Sequence, residues 1–319
     1  MITMVLVYSD DKALAAELLH AAQDLGKELN QPTSAIIIGK DDGSKELLAY
    51  GADQVFVIAS GLSSFKAEEY AAYLSQLLKE TKEDILLIGS NKNGKELAPR
   101  LAALFDTGCI TDCTNVYIKN KKLTTERIVY SGNAIAIEQF SSTPQIVTIP
   151  SKVYDPLSKD ASRSGKVIQK QYTVDTVPSK ITNVQALKSE EVNVEDAEII
   201  VSCGRGFKKK EDIKLVNDLA DALKGKTVGC SRPISADLKW LSEDHWIGLS
   251  GHKVKPKLYI AAGISGQIQH IAGMRDAGII VAINKDPEAL IFKSADYGIV
   301  GDLYQVLPKL TSAIKQKMG

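Results

Sequence analysis

Short apolar runs alternate with amphipathic segments twice along this chain, and this alternation constrains its fold more than any other feature. The first series runs from residue 4 to about residue 105, and the second begins near residue 198 and includes five apolar runs. Alternating strand and helix patterns predict a mainly parallel sheet with helices on both faces. We therefore predict an α/β chain of two doubly wound domains, each a mainly parallel sheet flanked by helices, covering residues 1–190 and 195–319.

The sequence after residue 106 changes character. Four short strand-like runs with turns between them follow, over 114–119, 122–130, 134–140 and 145–149. They predict an antiparallel portion added to the first sheet. The helix before them is predicted over 97–105, with Pro99 in its first turn, where the missing N–H does no harm. Residues 151–194 are polar, and part of this stretch is predicted to connect the two domains.

The charges of the chain balance, with 39 Lys and Arg residues against 39 Asp and Glu residues. A nucleic-acid binder needs a basic footprint, so this balance argues against nucleic acid. It also makes self-association or a permanent protein partner easier, since no net repulsion opposes contact. No apolar run approaches the roughly 20 residues that cross a membrane, and the N-terminal apolar run is too short for a signal peptide. We expect a protein of the cytoplasm, or of an organelle matrix, without a transmembrane segment. The four cysteines form no Cys-x-x-Cys pair and are expected to be reduced thiols.

The segment Gly89-Ser90-Asn91-Lys92-Asn93-Gly94-Lys95 matches the first seven positions of a phosphate-binding P-loop. The eighth position of that motif needs a Ser or Thr hydroxyl to hold Mg²⁺. Here the eighth residue is Glu96, whose carboxylate would repel phosphate. The segment is therefore predicted to be a strand-to-helix turn eased by Gly94, and not a site of nucleotide hydrolysis.

A different glycine-containing turn, Gly263-Ile264-Ser265-Gly266, follows an apolar strand and precedes a helix. Its two glycines let the backbone approach a bulky anion, and the free N–H groups and dipole of the first helical turn favour phosphate. Ser265 adds a hydroxyl donor. Taken alone, the pattern fits a purely structural turn equally well.

Polar residues also follow the other predicted strands of the second domain. Ser231 and Arg232 follow one strand, Asn284 ends another, and Asp302 follows the last. The turn Gly248-Leu249-Ser250-Gly251 carries a further hydroxyl. An arginine can hold a pyrophosphate through two hydrogen bonds, and a carboxylate can accept hydrogen bonds from ribose. Because the carboxyl ends of parallel strands meet at one edge, this set predicts a dinucleotide site.

Two basic segments lie near the start of the second domain. Arg205, in the turn Gly204-Arg205-Gly206, suits contact with a partner and contact with the phosphates of a dinucleotide equally well. The run Lys208-Lys209-Lys210 is followed by acidic residues at a helix start, so we interpret it as a solvated surface segment. Trp246 could stack near a bound ligand, but the sequence supports a core or interface role at least as well.

Three blocks of the second half, over 263–274, 283–289 and 295–303, resemble the signature of the electron transfer flavoprotein (ETF) alpha-subunit family, which includes FixB-like proteins, almost residue for residue. Weaker similarity extends through Gly94–Arg100 and Ser131–Ala134 in the first half. The resemblance implies an electron carrier, and not an enzyme, whose C-terminal domain holds most of one FAD. It also implies that the N-terminal domain packs against a smaller ETF beta subunit in a heterodimer.

The resemblance implies a role for each polar residue of the second domain. Arg232 would lie against the flavin and favour its reduced, negatively charged states, and Ser250 would stand for a threonine that contacts flavin N5. His270 would lie near the pyrimidine carbonyl, while Asn284 and Asp302 would serve the adenosine side. The complete predicted FAD-binding set is Ser231, Arg232, Gly248, Ser250, Gly251, Gly263, Ser265, Gly266, Gln269, His270, Asn284 and Asp302.

Two departures from the family pattern leave the type of carrier open. The family commonly has Gly-Gln-Thr-Gly-Lys where this chain has Gly248-Leu249-Ser250-Gly251-His252, and the loop 240–246 is one residue longer than usual. One type carries electrons from an acyl-CoA dehydrogenase, in fatty acid β-oxidation, to an acceptor such as ETF-quinone oxidoreductase. The other type bifurcates NADH electrons at a second FAD in the beta subunit, with ferredoxin as one acceptor.

Two functions of other classes compete with this interpretation. A doubly wound domain could bind NAD and transfer hydride by itself, but the usual Gly-x-Gly-x-x-Gly turn with its acidic partner is absent from the sequence. The first domain could instead be a nucleotide-sensing module, which binding of ATP or AMP by residues 1–190 would support.

Overall fold

The computed structural model of the chain describes residues 4–62, 64–82, 84–130, 133–174, 179–184, 193–225 and 227–318. The chain divides into two compact units, Met1–Thr182 and Asn183–Gly319, which we call the N-terminal and C-terminal domains. Each contains a parallel sheet flanked by helices, and the first also carries an antiparallel sheet, so the predicted α/β class is confirmed. Ser131 and Gly132, which belong to the weaker resemblance, lie outside the described residues.

The N-terminal domain is built on a seven-stranded parallel sheet. The strands of the whole domain, in both of its sheets, are β1 (Val5–Tyr8), β2 (Thr33–Ile38), β3 (Gln54–Ala59), β4 (Ile85–Gly89), β5 (Cys109–Ile110), β6 (Cys113–Lys119), β7 (Lys122–Val129), β8 (Ala134–Gln139), β9 (Gln145–Ile149) and β10 (Lys166–Gln171). Its helices are α1 (Lys12–Leu29), α2 (Ser44–Ala49), α3 (Ala67–Thr81) and α4 (Lys92–Leu104). The parallel sheet has the order β10-β3-β2-β1-β4-β9-β5, and β6, β7 and β8 form a separate antiparallel sheet.

Strand β1 shows why the continuous apolar runs become central strands. All four of its residues are buried: Val5 and Val7 pack in one core cluster, and Leu6 and Tyr8 pack in the other. Because side chains alternate across a strand, one apolar run fills the cores on both faces of a parallel sheet.

The structure corrects the prediction for the region after residue 106. The strands β6, β7 and β8 are antiparallel as predicted, but they form their own sheet and do not extend the first. Strand β9 pairs in parallel with β4 and β5 inside the main sheet, where all five of its residues are buried and its three apolar residues pack on both faces. Strand β10 was missed, since its alternating polar residues lie on an exposed edge beside β3 and resemble a connection.

Helix α4 also begins earlier than predicted. The Asn91 side chain accepts a hydrogen bond from the Gly94 N–H at 2.8 Å, and this cap starts the helix at Lys92. Pro99 therefore lies inside the helix. The prediction that it occupies the first turn is wrong. Gly94 is required at its position because an added Cβ would clash with the carbonyl oxygen of Gly89.

The C-terminal domain has a five-stranded parallel sheet, as predicted. Its strands are β11 (Ile199–Cys203), β12 (Thr227–Cys230), β13 (Leu258–Ala262), β14 (Ile279–Asn284) and β15 (Tyr297–Val300), in the order β12-β11-β13-β14-β15. Its helices are α5 (Lys214–Ala222), α6 (Ile268–Met274) and α7 (Leu303–Met318). The strand order reverses at β11, so the crevice between β11 and β13 at their carboxyl ends is the topological switch point, where such sheets bind ligands.

The described residues provide neither a membrane span nor a metal centre. None of their helices is long and apolar enough to cross a bilayer, and they contain no cluster of three or more potential metal-binding His, Cys, Asp or Glu side chains. The four cysteines are free, and burial raises the pKa of the Cys203 thiol to about 12, so this thiol stays protonated and unreactive.

The switch point of the N-terminal sheet lies between β1 and β4, and its side chains already pair with one another. The Asp10 carboxylate, just after β1, accepts hydrogen bonds from the side-chain amides of Asn91 and Asn93 at 2.6 and 2.5 Å. Lys95, the P-loop-like lysine, pairs with Asp112 at 3.2 Å. An anionic side chain therefore lies at the start of α4, where a nucleotide phosphate would have to bind.

We expect ATP and AMP to leave the unfolding temperature of the N-terminal domain unchanged, because the Asp10 carboxylate repels phosphate and occupies the two asparagine donors. Differential scanning calorimetry of the full chain with millimolar nucleotide, against sodium chloride of matched ionic strength, measures this. A rise in the unfolding temperature that grows with nucleotide concentration would contradict the prediction.

Candidate functional site

A cavity of about 790 Å³ opens at the carboxyl edge of the C-terminal sheet, where the loops after all five strands converge. Its volume falls within the roughly 300–1,000 Å³ of small-molecule and cofactor sites. Ten of the twelve residues predicted from the sequence line it, namely Ser231, Arg232, Gly248, Ser250, Gly263, Ser265, Gln269, His270, Asn284 and Asp302.

The other two predicted residues, Gly251 and Gly266, support the cavity wall from behind and do not line it. Gly266 has a φ of +79°, and an added Cβ would clash with the backbone nitrogen of Ile291. A Cβ at Gly251 would lie 2.5 Å from the Trp246 carbonyl oxygen. The structure gives a reason for Gly266 that the sequence did not show, since two backbone segments pack together there, and its role toward an anion stays a prediction.

Two glycine turns meet at the switch point of the C-terminal sheet. The Gly206 N–H, after β11, donates a hydrogen bond to the Gly263 carbonyl, after β13, at 2.9 Å. Gly263 has a φ of +64°, and a Cβ there would lie 3.0 Å from the Gly206 Cα. This contact holds Arg205 and Ser265, which follow the two glycine-bearing strand ends, in one cavity wall.

The turn that carries Ser250 is attached to helix α6. The Leu249 N–H donates to the Gln269 carbonyl at 2.7 Å, and the Gly248 N–H donates to the His252 carbonyl at 3.1 Å. These backbone hydrogen bonds place the exposed Ser250 hydroxyl and the residues Gln269 and His270 in the same wall of the cavity.

Basic side chains give the cavity a capacity for phosphate. The Arg232 guanidinium lies over the Trp246 ring, 5.9 Å from its centroid, which orients the arginine while leaving its N–H groups to bind an anion. Arg205, Lys208 and Lys285 also line the cavity. Lys208 is exposed, as predicted for its run, and it also lines the cavity, for which its nearness to the Gly-Arg-Gly turn is the sequence signal.

Asn284 and Asp302 have structural tasks at the cavity edge. The Asn284 amide donates to the Ile264 carbonyl at 2.8 Å, and its oxygen accepts from the Asp286 N–H at 3.0 Å. The Asp302 carboxylate accepts from the Tyr304 N–H at 3.0 Å at the start of α7. Each side chain therefore fixes a loop of the wall in addition to any contact with a ligand.

His270 is the most deeply buried titratable side chain of the cavity wall, with 7% of its surface exposed. Its Nε2 lies 3.0 Å from the Tyr259 hydroxyl, and its buried Nδ1 has no hydrogen-bond partner within ordinary limits among the described residues. Burial lowers the pKa of His270 to about 4, an effect that the nearby Ile247 backbone partly opposes. The imidazole is therefore neutral at pH 7, and its unpartnered atom fits a polar group of a bound ligand.

This donor set fits a flavin dinucleotide. The cavity has the size for a cofactor, its basic side chains suit a pyrophosphate, its serine hydroxyls suit polar ring edges, and the unpartnered Nδ1 of His270 suits a ring carbonyl.

Models of two protein-domain families match the chain. The electron transfer flavoprotein domain matches residues 5–174, and the electron transfer flavoprotein FAD-binding domain matches residues 193–275. The second match includes the strands β11, β12 and β13, the Ser250 turn and most of the cavity wall.

Similar proteins span nearly the whole chain. The electron transfer flavoprotein subunit alpha of Thermoanaerobacterium thermosaccharolyticum is 41% identical over 310 residues, which cover 95% of this chain and 93% of that protein. The FixB protein of Escherichia coli O157:H7 is 34% identical over 313 residues, 98% of each chain. The FixB protein of Salmonella typhimurium strain LT2 is 35% identical over 311 residues, 97% of each chain.

The low pKa of His270 makes stability depend on pH. Between pH 6.5, the ordinary pKa of histidine, and pH 4, the unfolded chain takes up a proton that the folded chain does not. We therefore expect the C-terminal domain to lose up to about 3 kcal/mol of stability from this group as pH falls through that window.

Urea unfolding of the ligand-free full chain at pH 7 and pH 4 measures this loss. A His270→Gln variant is the control, since it cannot titrate and is expected to lose less stability over the same interval. Equal losses in the two proteins would show that His270 is not held neutral in the fold.

Proposed function

This chain belongs to the electron transfer flavoprotein alpha-subunit family, and from that premise we propose that it binds one FAD in the cavity of its C-terminal domain and carries electrons as part of a heterodimer. The observation that carries the proposal is that ten of the twelve residues predicted from the sequence line one cavity, eight of them within the segment that matches the family's FAD-binding domain.

FAD, when bound, supplies the redox chemistry, and the protein supplies binding, orientation and electrostatics. Arg205, Lys208 and Arg232 would hold its negative groups, and Ser250 and Ser265 would donate hydrogen bonds to it. Neutral His270 would donate from Nδ1 to a ring carbonyl, where negative charge gathers on reduction. No side chain of this chain needs to form a covalent bond in such a role.

The antiparallel sheet of the N-terminal domain offers a surface for the beta subunit. Ile128 pairs with Ile135 across β7 and β8, and Ile137 shares their face, opposite to the core residue Leu123. The exposed fractions of Ile128, Ile135 and Ile137 are 40%, 64% and 63%, and the nearby Tyr130 is 81% exposed. An apolar patch of this kind on a soluble domain supports a protein partner, and the family context makes the ETF beta subunit our proposed occupant.

The proposed electron donor is an acyl-CoA dehydrogenase or a similar flavin dehydrogenase, and the proposed acceptor is of the ETF-quinone oxidoreductase or ferredoxin type. Leu249, half exposed in the cavity wall where the family commonly has an amide, removes a polar group from the ligand's surroundings.

The absorption spectrum of the purified heterodimer gives the number of flavins. Two flavins that NADH reduces would assign a bifurcating carrier, and one flavin that NADH leaves oxidised would assign the acyl-CoA type.

Replacing Arg232 by Ala is expected to weaken FAD binding by about 10- to 100-fold, since charge-assisted hydrogen bonds contribute about 1.5–3 kcal/mol. The midpoint potential is expected to fall, because a positive charge that favours the reduced flavin is lost. Flavin content after dialysis and redox titration of the heterodimer measure both effects. Arg275→Ala, which removes an equal charge from an exposed position outside the cavity, is the matched control. Native flavin content and potential in the Arg232 variant would contradict the assigned role.

Replacing Ile137 by Asp is expected to weaken the heterodimer at least tenfold, because a charge would have to be buried in the apolar contact. Sedimentation equilibrium of the chain with the ETF beta subunit measures the dissociation constant. Val167→Asp on the exposed edge strand β10 is the control, since it adds the same charge at a position with 40% exposure outside the patch. Circular dichroism checks that both variants fold. Equal dissociation constants for the Ile137 and Val167 variants would show that the beta subunit does not bind at this patch.

A further inference from the structure

A buried hydrogen bond joins the core of the C-terminal domain to the wall of its cavity. Tyr259 lies in the middle of the sheet on β13 and is completely buried, and it does not line the cavity. Its hydroxyl lies 3.0 Å from Nε2 of His270 on α6, which does line the cavity. The Nε2 edge of the imidazole is therefore turned to the core, and Nδ1, itself buried, is the ring nitrogen that has no hydrogen-bond partner within ordinary limits among the described residues.

The single proton of the phenol decides which nitrogen of His270 carries a proton. Burial raises the pKa of Tyr259 far above its usual value, so the phenol keeps its proton. Among the described residues, His270 Nε2 is the partner of the phenol within ordinary hydrogen-bond limits. The buried Ser202 hydroxyl lies outside those limits, although it is near enough to oppose the rise in the pKa of Tyr259. If the phenol donates to Nε2, its proton is satisfied, and the proton of the neutral imidazole must lie on Nδ1.

The opposite arrangement leaves two buried groups unsatisfied. An Nε2–H that donated to the phenol oxygen would leave the phenol proton without an acceptor and Nδ1 without a donor. The backbone of Ile247 cannot supply that donor either, because it raises the pKa of His270, as a carbonyl acceptor does, and the Ile247 N–H already donates to the Cys230 carbonyl at 2.9 Å. Buried polar groups that lack partners are costly, so the first arrangement is favoured.

We infer that Tyr259 is a positioning residue that holds His270 as the Nδ1–H tautomer, so that the cavity presents a fixed hydrogen-bond donor at this point. This deepens the proposed function and rests on it only where the ligand is a flavin. A donor at Nδ1 selects a carbonyl or anionic oxygen and rejects a ring N–H, and it stabilises negative charge that develops on the group it contacts. The other tautomer would have the reverse preference.

The tautomer can be read without any cofactor. The full chain is labelled with ¹⁵N-histidine, and two-bond ¹H–¹⁵N spectra are recorded near pH 7, with the four histidines distinguished by a His270→Gln variant. We expect protonated Nδ1 and unprotonated Nε2 for His270 in the wild-type chain. A protonated Nε2 in the wild-type chain overturns the inference by itself, whether or not any variant folds.

Two matched variants test the role of the phenol. Tyr259→Phe keeps the ring and removes the hydroxyl, and it is expected to shift His270 toward the Nε2–H form. Ser202→Ala removes the neighbouring hydroxyl, which lies outside hydrogen-bond limits, and is expected to leave the tautomer unchanged. An unchanged tautomer in a folded Tyr259→Phe chain would overturn the assignment to Tyr259.

The last measurement separates this inference from the proposed function. In the FAD-loaded heterodimer, Tyr259→Phe is expected to lower the midpoint potential while the flavin content stays native. If the wild-type heterodimer binds no FAD, the proposed function fails and the tautomer result still stands. If FAD binds and the potential of the Phe variant equals that of the wild type, the positioning role fails and the proposed function stands.

Discussion

The cavity depends on the close approach of two backbones at the switch point between β11 and β13. Gly204 donates to the Ala262 carbonyl at 3.0 Å, and Gly206 donates to the Gly263 carbonyl at 2.9 Å. A side chain on Gly204, Gly206 or Gly263 would have to occupy space that the opposite strand end already fills. Because the two turns are joined in this way, the side chains that follow them form one wall, and the loops after β12, β14 and β15 complete the enclosure.

Most polar atoms near the cavity already serve the loops that form it. Backbone groups of Gly248, Leu249 and Gln269 bond to one another or to neighbouring loops, and Asn284 and Asp302 bond to backbone groups of their own edge. Among the side chains of the cavity wall, this leaves guanidinium and ammonium groups, hydroxyls and the amides of Gln267 and Gln269 to donate to a ligand, beside the carboxylate of Glu288. Such a set recognises phosphates and carbonyl oxygens, which is why the chemistry of the site agrees with the family to which the chain belongs.

Local patterns allowed much of this fold to be predicted, and long-range contacts account for the errors. The runs that became β1 and β13 are apolar enough to fill two cores, so their strands could be located from periodicity alone. The residues of a strand do not determine which strand it pairs with, since sheet neighbours lie far apart in the sequence. For this reason β9 was predicted in the wrong pairing, and β10 was predicted as a connection. Pro99 was placed by a general preference, which the stronger local signal of the Asn91 cap overrides. The pairing of His270 with Tyr259 likewise joins a helix to a central strand, and no spacing rule predicts it.

The two domains show that a doubly wound fold supplies a place for a ligand but does not determine whether one binds. Each has a switch point at the carboxyl edge of a parallel sheet, and each has a glycine at the following turn. In the N-terminal domain, a carboxylate and two amides satisfy one another there, and a lysine is neutralised by an aspartate. In the C-terminal domain, cations and hydroxyls line an open cavity, and one buried nitrogen has no hydrogen-bond partner within ordinary limits in the described part of the chain. Function therefore follows from which polar groups the chain leaves unsatisfied at an edge, and the fold only brings those groups together.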